Sequence, residues 1–381
     1  MISRIVEARV HRGAGGLAEL QPAWLALQAE LPKARFFHTW AWHAAWLATL
    51  ADAPEQVLFV ACSDGGRCVA IVPLQRQADG RFGARRWGLP EHNHWPLADV
   101  IAAPGVAAAA LLDAVCRALA EARIAWEVLG FEPVMAESVL APATPDAAQG
   151  KAADRAGRGD PRLLASQVKT CDQIDCDIPW EPFAAALSGN FRSNLNKARK
   201  KLAQQEEEVR LEVARTPEAL QRAFEPFLAS EASGWKGTDG TAIVQSPALQ
   251  AFYSRLLQEF GSEGRLRIHL LRLGSRVIAA QFCFIDSDTL YVHKLGYDES
   301  LASLSPGNSL LERVVRLDAA ERGFRYINLE GSPPWFRNWN PAATPVYRLV
   351  LIRHSLRGWL LRAERLARVL RGRLRRPARS R

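Results

Sequence analysis

The sequence predicts a mixed α/β (α+β) fold in which a mostly antiparallel sheet flanked by helices occurs twice in tandem. Three observations point there. First, two hairpin signals, Ser63-Asp64-Gly65-Gly66 and Gly274-Ser275, each lie between apolar runs of strand length. Second, each hairpin is followed by Pro-Gly, at 104–105 and 306–307, then by an apolar helical pattern and another strand. Third, the two copies share sequence. Arg67-Cys68-Val69-Ala70 matches Arg276-Val277-Ile278-Ala279. Leu111-Leu112-Asp113-Ala114-Val115-Cys116-Arg117 matches Leu310-Leu311-Glu312-Arg313-Val314-Val315-Arg316. Both offsets are close to 200 residues. One such match can arise by chance; two in the same order indicate a duplicated unit.

In order, Ile2–Val10 alternates like a strand. Gly16–Glu30 and Thr39–Leu50 read as helices. The second carries Trp40, Trp42 and Trp46, which either line a pocket or, as large aromatics usually do, anchor a core. Val57–Cys62 and Arg67–Gln75 are the first hairpin's strands. Trp87–Asp99 is an irregular loop; its His92 and His94 have no third ligand nearby, so no metal is expected. Val106–Arg123 reads as a helix and Ile124–Leu129 as a strand. Ala136–Ala165 is rich in Ala, Pro, Gly, Asp and Arg without period, the mark of an insertion or linker.

A strand near Gln173–Ile178 opens the second half, followed by helices at Pro179–Leu187 and Phe191–Gln205. Val209–Val213 is a strand, and Thr216 caps a helix to Ser230. Glu231–Ile243 is a Gly-rich loop holding Trp235 and Lys236, and Pro247–Phe260 is helical. Leu266–Leu273 and Arg276–Ile285 form the second hairpin. Leu290–Leu295 is a strand, Asn308–Arg322 a helix, Tyr326–Leu329 a strand and Gly331–Pro341 a rigid loop. The expected domains are 1–135, a linker at 136–168, 169–350, and a basic tail at 351–381.

The hydrophobic share of 48% is enough for real cores. The net charge of +9 suggests nucleic acid until it is located. Arg353–Arg381 holds eleven Arg against the single acid Glu364, so removing this +10 stretch leaves the body at −1. The basicity therefore belongs to the tail. Six Cys show neither CxxC nor Cys/His metal spacing and read as free thiols in a reducing cytosol. No signal peptide and no membrane-spanning run are expected.

The chemistry is read at Leu290–Leu311, a strand, a polar connection and a helix start at Ser305-Pro306-Gly307. Pro suits the first helical turn, and a neighbouring Ser or Asn can cap the exposed amides. Those amides also suit a phosphate or carboxylate. The plainer alternative is a helix start that binds nothing.

Four features in order carry a resemblance: FRSNLNKARKKL (Phe191–Leu202), EASGWKGTDGTAI (Glu231–Ile243), LGYD followed by SPGNSLL, and a strand ending Glu330-Gly331. Together they resemble the GNAT-like acyltransferases of the CelD (cellulose-biosynthesis-associated) type, relatives of the Fem aminoacyl transferases. The resemblance is best over Asp172–Tyr347, with the first half as a degenerate twin. It implies two tandem GNAT folds with the active cleft mainly in the second. It also implies an acyl-CoA whose pantetheine lies beside the Val292–Gly296 strand and whose pyrophosphate meets the turn Ser305–Ser309. The implied cofactor contacts are Leu295, Gly296, Ser305, Pro306, Gly307, Asn308 and Ser309. This turn has one Gly where standard GNAT enzymes have two or more, which keeps an aminoacyl-tRNA donor open as the alternative. The family's late Tyr-Lys pair is Phe336-Arg337 here, keeping the cation.

Acyl transfer to an amine needs a base, a group to hold the thioester carbonyl and an acid for the leaving thiolate. His293, on the strand expected to face the thioester, is the first base candidate; the alternative is a satisfied half-buried His. Glu330 would hold the amine or pair with an Arg. Tyr297 is a candidate acid, or packs, and Asp298 sits beside it at the cleft mouth. Lys236, with Trp235, would meet an anionic substrate from its glycine loop, or stay solvated. Arg192 and Arg199 share a helix face and would touch phosphate, or water alone. Trp335 and Trp339 would stack on a sugar or pack, and Arg337 supplies a cation nearby. Leu356–Leu374 spaces its Leu at helical periods among Arg. Such a helix reads as a membrane-surface binder, with RNA or docking on the body as alternatives.

The reading is a bacterial-style cytoplasmic N-acyltransferase using acetyl-CoA or another acyl-CoA, without metal. Its acceptor is an amine such as an amino sugar or polysaccharide precursor. The runner-up is a Fem-like aminoacyl-tRNA-dependent transferase. A third reading is a non-catalytic accessory protein of polysaccharide biosynthesis, held at the inner membrane face by 356–381.

Overall fold

The computed structural model describes residues 5–142, 162–234 and 240–364. In chain order, the first elements are β1 (Glu7–Arg12), α1 (Gly13–Glu30), α2 (Trp40–Thr49), β2 (Val57–Asp64) and β3 (Arg67–Gln77). Next come β4 (Arg86–Gly88), β5 (Ile101–Ala102), α3 (Ala108–Glu121), β6 (Val128–Met135) and β7 (Arg162–Asp175). The second half holds α4 (Trp180–Ala186), α5 (Gly189–Ala203), β8 (Val209–Ala214), α6 (Pro217–Ala232) and α7 (Pro247–Ser262). It continues with β9 (Leu266–Leu273), β10 (Arg276–Asp286), β11 (Thr289–Tyr297), α8 (Pro306–Val315), α9 (Ala319–Arg322), β12 (Tyr326–Asn328) and β13 (Ala342–Ile352).

These elements form two compact units, Met1–Leu31 with Ala53–Val168 and Pro345–Arg381, and Pro32–Asp52 with Lys169–Thr344. In the first unit the strand order is β1-β2-β3-β4-β6-β13, with β5 beside β3. Its neighbours are antiparallel except β4 and β6, which run parallel. In the second unit the order is β8-β9-β10-β11-β12-β7. Again only one pair, β11 and β12, is parallel. The two units thus repeat one topology, as the duplicated sequence requires. The matched stretches fall on equivalent elements, β3 and β10 for the first pair, α3 and α8 for the second.

The division differs from the expected boundaries in two places. Pro32–Asp52 counts with the second unit. The reason is aromatic packing: Phe36 stacks on Phe284 at 4.4 Å and Trp42 meets Phe252 edge-on at 5.3 Å. The Phe36 N–H also donates to Asp286 at 2.5 Å, and Arg35 Nε donates to the Tyr291 hydroxyl at 3.0 Å. Pro345–Arg381 counts with the first unit because β13, a strand missing from the sequence reading, pairs with β6 over Val346–Ile352. The expected helix at Asn308–Arg322 is two helices, and it starts at Pro306. Part of the expected linker is β7, and residues 143–161 lie outside the described residues. All six Cys are free; Cys68 and Cys116 are half-buried and the other four buried.

Two buried imidazoles make the second unit acid-sensitive. Burial lowers His43 on α2 to about 3, against a bond to the Thr39 backbone. Burial likewise lowers His269 on β9 to about 4, against the hydrogen bond that its Nδ1 donates to Gln281 Oε1. Both folded-state values lie below the unfolded one, so the unfolded chain binds more protons as pH falls. The stability is complete above about pH 6.5 and is lost progressively toward about pH 4 for His269 and about pH 3 for His43. Each group should cost on the order of 2 kcal/mol between about pH 7 and about pH 5. Urea midpoints at the two pH values check this; His269→Gln should flatten the dependence, and identical slopes for both proteins would refute it.

Candidate functional site

The site is built where β11 outruns its parallel neighbour. β12 pairs with β11 only from Thr289↔Tyr326 to Tyr291↔Asn328, whereas β11 continues to Tyr297. The strands therefore open a wedge past Asn328. On its other side β11 pairs with β10, and there the register shifts: Cys283 faces Val292 but Phe282 faces Lys294. His293 is the extra residue of this bulge. A bulge reverses the alternation of side chains along the strand. Before it, Leu290 and Val292 face the core that holds Leu310 and Leu311. After it, Leu295 and Tyr297 pack against that same core.

A cavity of about 300 Å³ lies between the end of β11 and the start of α8. Leu295, Gly296, Tyr297, Ser305, Pro306, Gly307 and Asn308 line it, with Gln281 and Trp335. Gly296 has no room for a side chain, since a Cβ would stand 2.5 Å from the Glu231 Cα. At the helix start Ser305 is left-handed, at φ 50°, and its side chain makes no cap. Pro306 has no N–H, and the Ser309 N–H donates to Ser305 O at 2.9 Å. The amides of Gly307 and Asn308 find no acceptor among the described residues. The expected capping by Ser or Asn is thus not made. The Asn308 side chain is occupied elsewhere, accepting from Trp339 Nε1 at 3.0 Å, and Ser309 Oγ donates to Leu304 O. Two uncapped amides at the positive end of a helix dipole suit an anionic group such as a phosphate.

His293 does not line this cavity. Its side chain is buried on the other face of the sheet, ringed at 5.4–5.9 Å by Phe36, Trp42, Tyr253 and Phe284. Its Nδ1 lies 3.0 and 3.2 Å from the two Glu330 oxygens. Glu330 is buried and left-handed, at φ 55°, which a non-glycine residue keeps only when its surroundings hold it. They do: the Glu330 N–H donates to Asn328 Oδ1 at 2.7 Å, and Cys171 Sγ donates to the same oxygen at 3.0 Å. Burial, followed by the charges of Glu330 and Glu231, pushes the Tyr253 hydroxyl well above its ordinary value. Glu231 is buried too and accepts from the Ile243 N–H at 3.0 Å. Glu231, Tyr253 and Asn328 escaped the sequence reading. The only signal for Glu231 was an acid closing a helix at the mouth of a Gly-rich loop.

Other candidates are placed differently. Asp298 is a structural cap, accepting from Ser300 N–H at 3.0 Å and paired with Arg276. Burial opposes its charge, but Ser300 and Arg276 outweigh it and hold the carboxyl below the usual range. Arg199 is engaged with the buried Glu312 of α8 at 3.4 Å, and Arg192 donates to Ala185 O at 2.8 Å. Both residues stay exposed, and neither lines the cavity. Trp335 borders the cavity, whereas Trp339 is fully buried, which leaves no face for a sugar. Arg337 is exposed. Trp235 and Lys236 lie outside the described residues. Among the described residues no group of three or more His, Cys, Asp or Glu could hold a metal.

A duplicated six-strand unit, with its one parallel pair splayed beside a helix start, defines the class: a tandem GNAT-like fold. The family profile for an acetyltransferase (GNAT) domain matches residues 189–336, so the chain carries a GNAT acyltransferase domain. That fold implies an acyl-CoA co-substrate. Solved structures share the fold. FemX does so at a TM-score of 0.52 and 11% identity, covering 87% of this chain and 95% of that one. L-PGS from Bacillus licheniformis does so at 0.50 and 13%, covering 85% and 95%. The C-terminal domain of an Agrobacterium fabrum protein assigned as a lysylphosphatidylglycerol synthetase does so at 0.50 and 13%, covering 91% and 95%. No curated protein matches by sequence.

Proposed function

We propose that the chain is a CelD-type N-acyltransferase that uses acetyl-CoA to acylate an amine, an amino sugar or a polysaccharide precursor, in the cytoplasm. The observation that carries this reading is the cavity of about 300 Å³ at the open end of β11, faced by the amides of Gly307 and Asn308. The pyrophosphate would meet those amides and the pantetheine would follow β11 inward. The amine lone pair attacks the thioester carbonyl carbon and the C–S bond breaks. The wedge past Asn328 would carry the reacting end of the acyl group toward the other face of the sheet, where the His293–Glu330 pair takes the amine's proton, and Tyr297 on the cavity wall protonates the sulfur. Burial among aromatic rings keeps bulk water from that pair.

A second reading, transfer from aminoacyl-tRNA, is favoured by the single glycine of the turn at Gly307. Calorimetry with acetyl-CoA, a long-chain acyl-CoA and an aminoacyl-tRNA separates them. Saturable heat is expected with acetyl-CoA. Heat with the tRNA alone would select the second reading. Heat with none of the three would leave a non-catalytic accessory protein of polysaccharide biosynthesis.

A further inference from the structure

The chain's last described helix, residues 356–364, packs on the first unit and turns an apolar edge to solvent. Gly358 faces inward, where a Cβ would stand 2.1 Å from Arg353 O. Arg362 donates to Ile352 O at 2.8 Å, and Glu364 pairs with Arg81. With the inner side fixed in this way, Leu356 and Trp359, one helical turn apart, stand 77% and 62% exposed. A second element with an exposed apolar side chain lies against the same helix. Arg357 donates to Gly83 O at 2.8 Å, which seats the turn at Arg81–Gly83 against the helix. In that turn Phe82 is 47% exposed and left-handed, at φ 61°. A bulky residue held outward in a conformation that disfavours it is unusual for a turn with no role. Exposed large apolar side chains on adjoining elements, here a turn and the helix it is bonded to, are the material of an interaction surface.

The charge around them selects the partner. Arg81, Arg353 and Arg357 are exposed around this edge, and the sequence beyond it is dominated by Arg as far as Arg381. We propose that Phe82, Leu356 and Trp359 form a foot that enters the interface of an anionic lipid surface, with Arg81, Arg353 and Arg357 drawn to its headgroups. Aromatic side chains favour the headgroup level, and Arg near an anionic leaflet adds attraction that salt screens. Among the described residues no helix is long and apolar enough to cross a membrane, so the contact is peripheral.

Sedimentation of the full chain with vesicles tests this. Pelleting is expected with phosphatidylglycerol-containing vesicles, not with pure phosphatidylcholine, and should weaken as salt rises. The variant Phe82→Asn, Leu356→Ser, Trp359→Ser should lose about tenfold or more in partitioning. Its acyl transfer in vesicle-free solution and its melting temperature should stay unchanged. Partitioning of that variant at the level of the unaltered chain overturns the proposal, as does equal pelleting with neutral vesicles. Binding to RNA without vesicle binding, or a dimer that the variant dissociates, overturns it in favour of another partner.

Discussion

Glu330→Gln should lower the rate of acyl transfer by about a hundredfold or more while leaving acyl-CoA binding unchanged. The carboxyl is buried and its oxygens stand 3.0 and 3.2 Å from His293 Nδ1, while the acyl-CoA cavity is lined by other residues. Gln keeps the shape and the backbone bond to Asn328 but cannot take up a proton at that position. His293→Ala should cost a similar factor. If the two side chains form one proton-handling unit, the double variant should be little worse than either single one. Steady-state rates and calorimetry on the same preparations decide it. Full activity in Glu330→Gln would remove the pair from the chemistry and leave it as core. A simultaneous loss of acyl-CoA binding would show that the substitution reached the cavity instead.

Trp339→Ala should destabilise the second unit by about 3–5 kcal/mol and weaken acyl-CoA binding as well. The side chain is fully buried, meeting Phe191 edge-on at 5.3 Å and stacking with Phe183 at 6.4 Å. Removing it opens a cavity beneath α4 and α5. Its indole N–H also holds Asn308, so the first turn of α8 loses the bond that keeps that side chain off its own helix start. A released Asn308 can turn back on the exposed amides and compete with the anion. Trp339→Phe separates the two effects. It should restore most of the urea resistance but not the affinity. Unfolding at an unchanged urea concentration in Trp339→Ala would contradict the packing argument, and full affinity in Trp339→Phe would contradict the second.

The most legible part of the chain was the stretch from β11 to α8. A strand, a Pro-Gly turn and an apolar helix are signalled by neighbours in sequence, and Leu295, Gly296, Tyr297 and Ser305–Asn308 do line one cavity. What could not be read there was which amides stay open. Ser305 and Asn308 are residue types that cap, and only the long-range bond from Trp339 shows why Asn308 does not. Basic residues were legible only in part, for a related reason. The spacing of Arg192 and Arg199 is visible on a helix, but the buried Glu312 that claims Arg199 lies on α8. The capping role of Asp298 was hidden because the turn it caps is irregular and leaves no periodic trace.

The sequence by itself determined the duplicated architecture, the open strand-to-helix junction and the confinement of positive charge to the last residues. Each is written in local periodicity, turn residues or composition. Tertiary structure alone decided the bulge at His293, its pairing with Glu330, the gathering of Glu231 and Tyr253, and the transfer of Pro32–Asp52 to the second unit. These contacts join residues far apart in the chain, 37 positions for His293 and Glu330 and 250 for Phe36 and Asp286. Alternation can assign a side chain to a face, but one inserted residue reverses that assignment, and only the paired strand shows where the insertion falls.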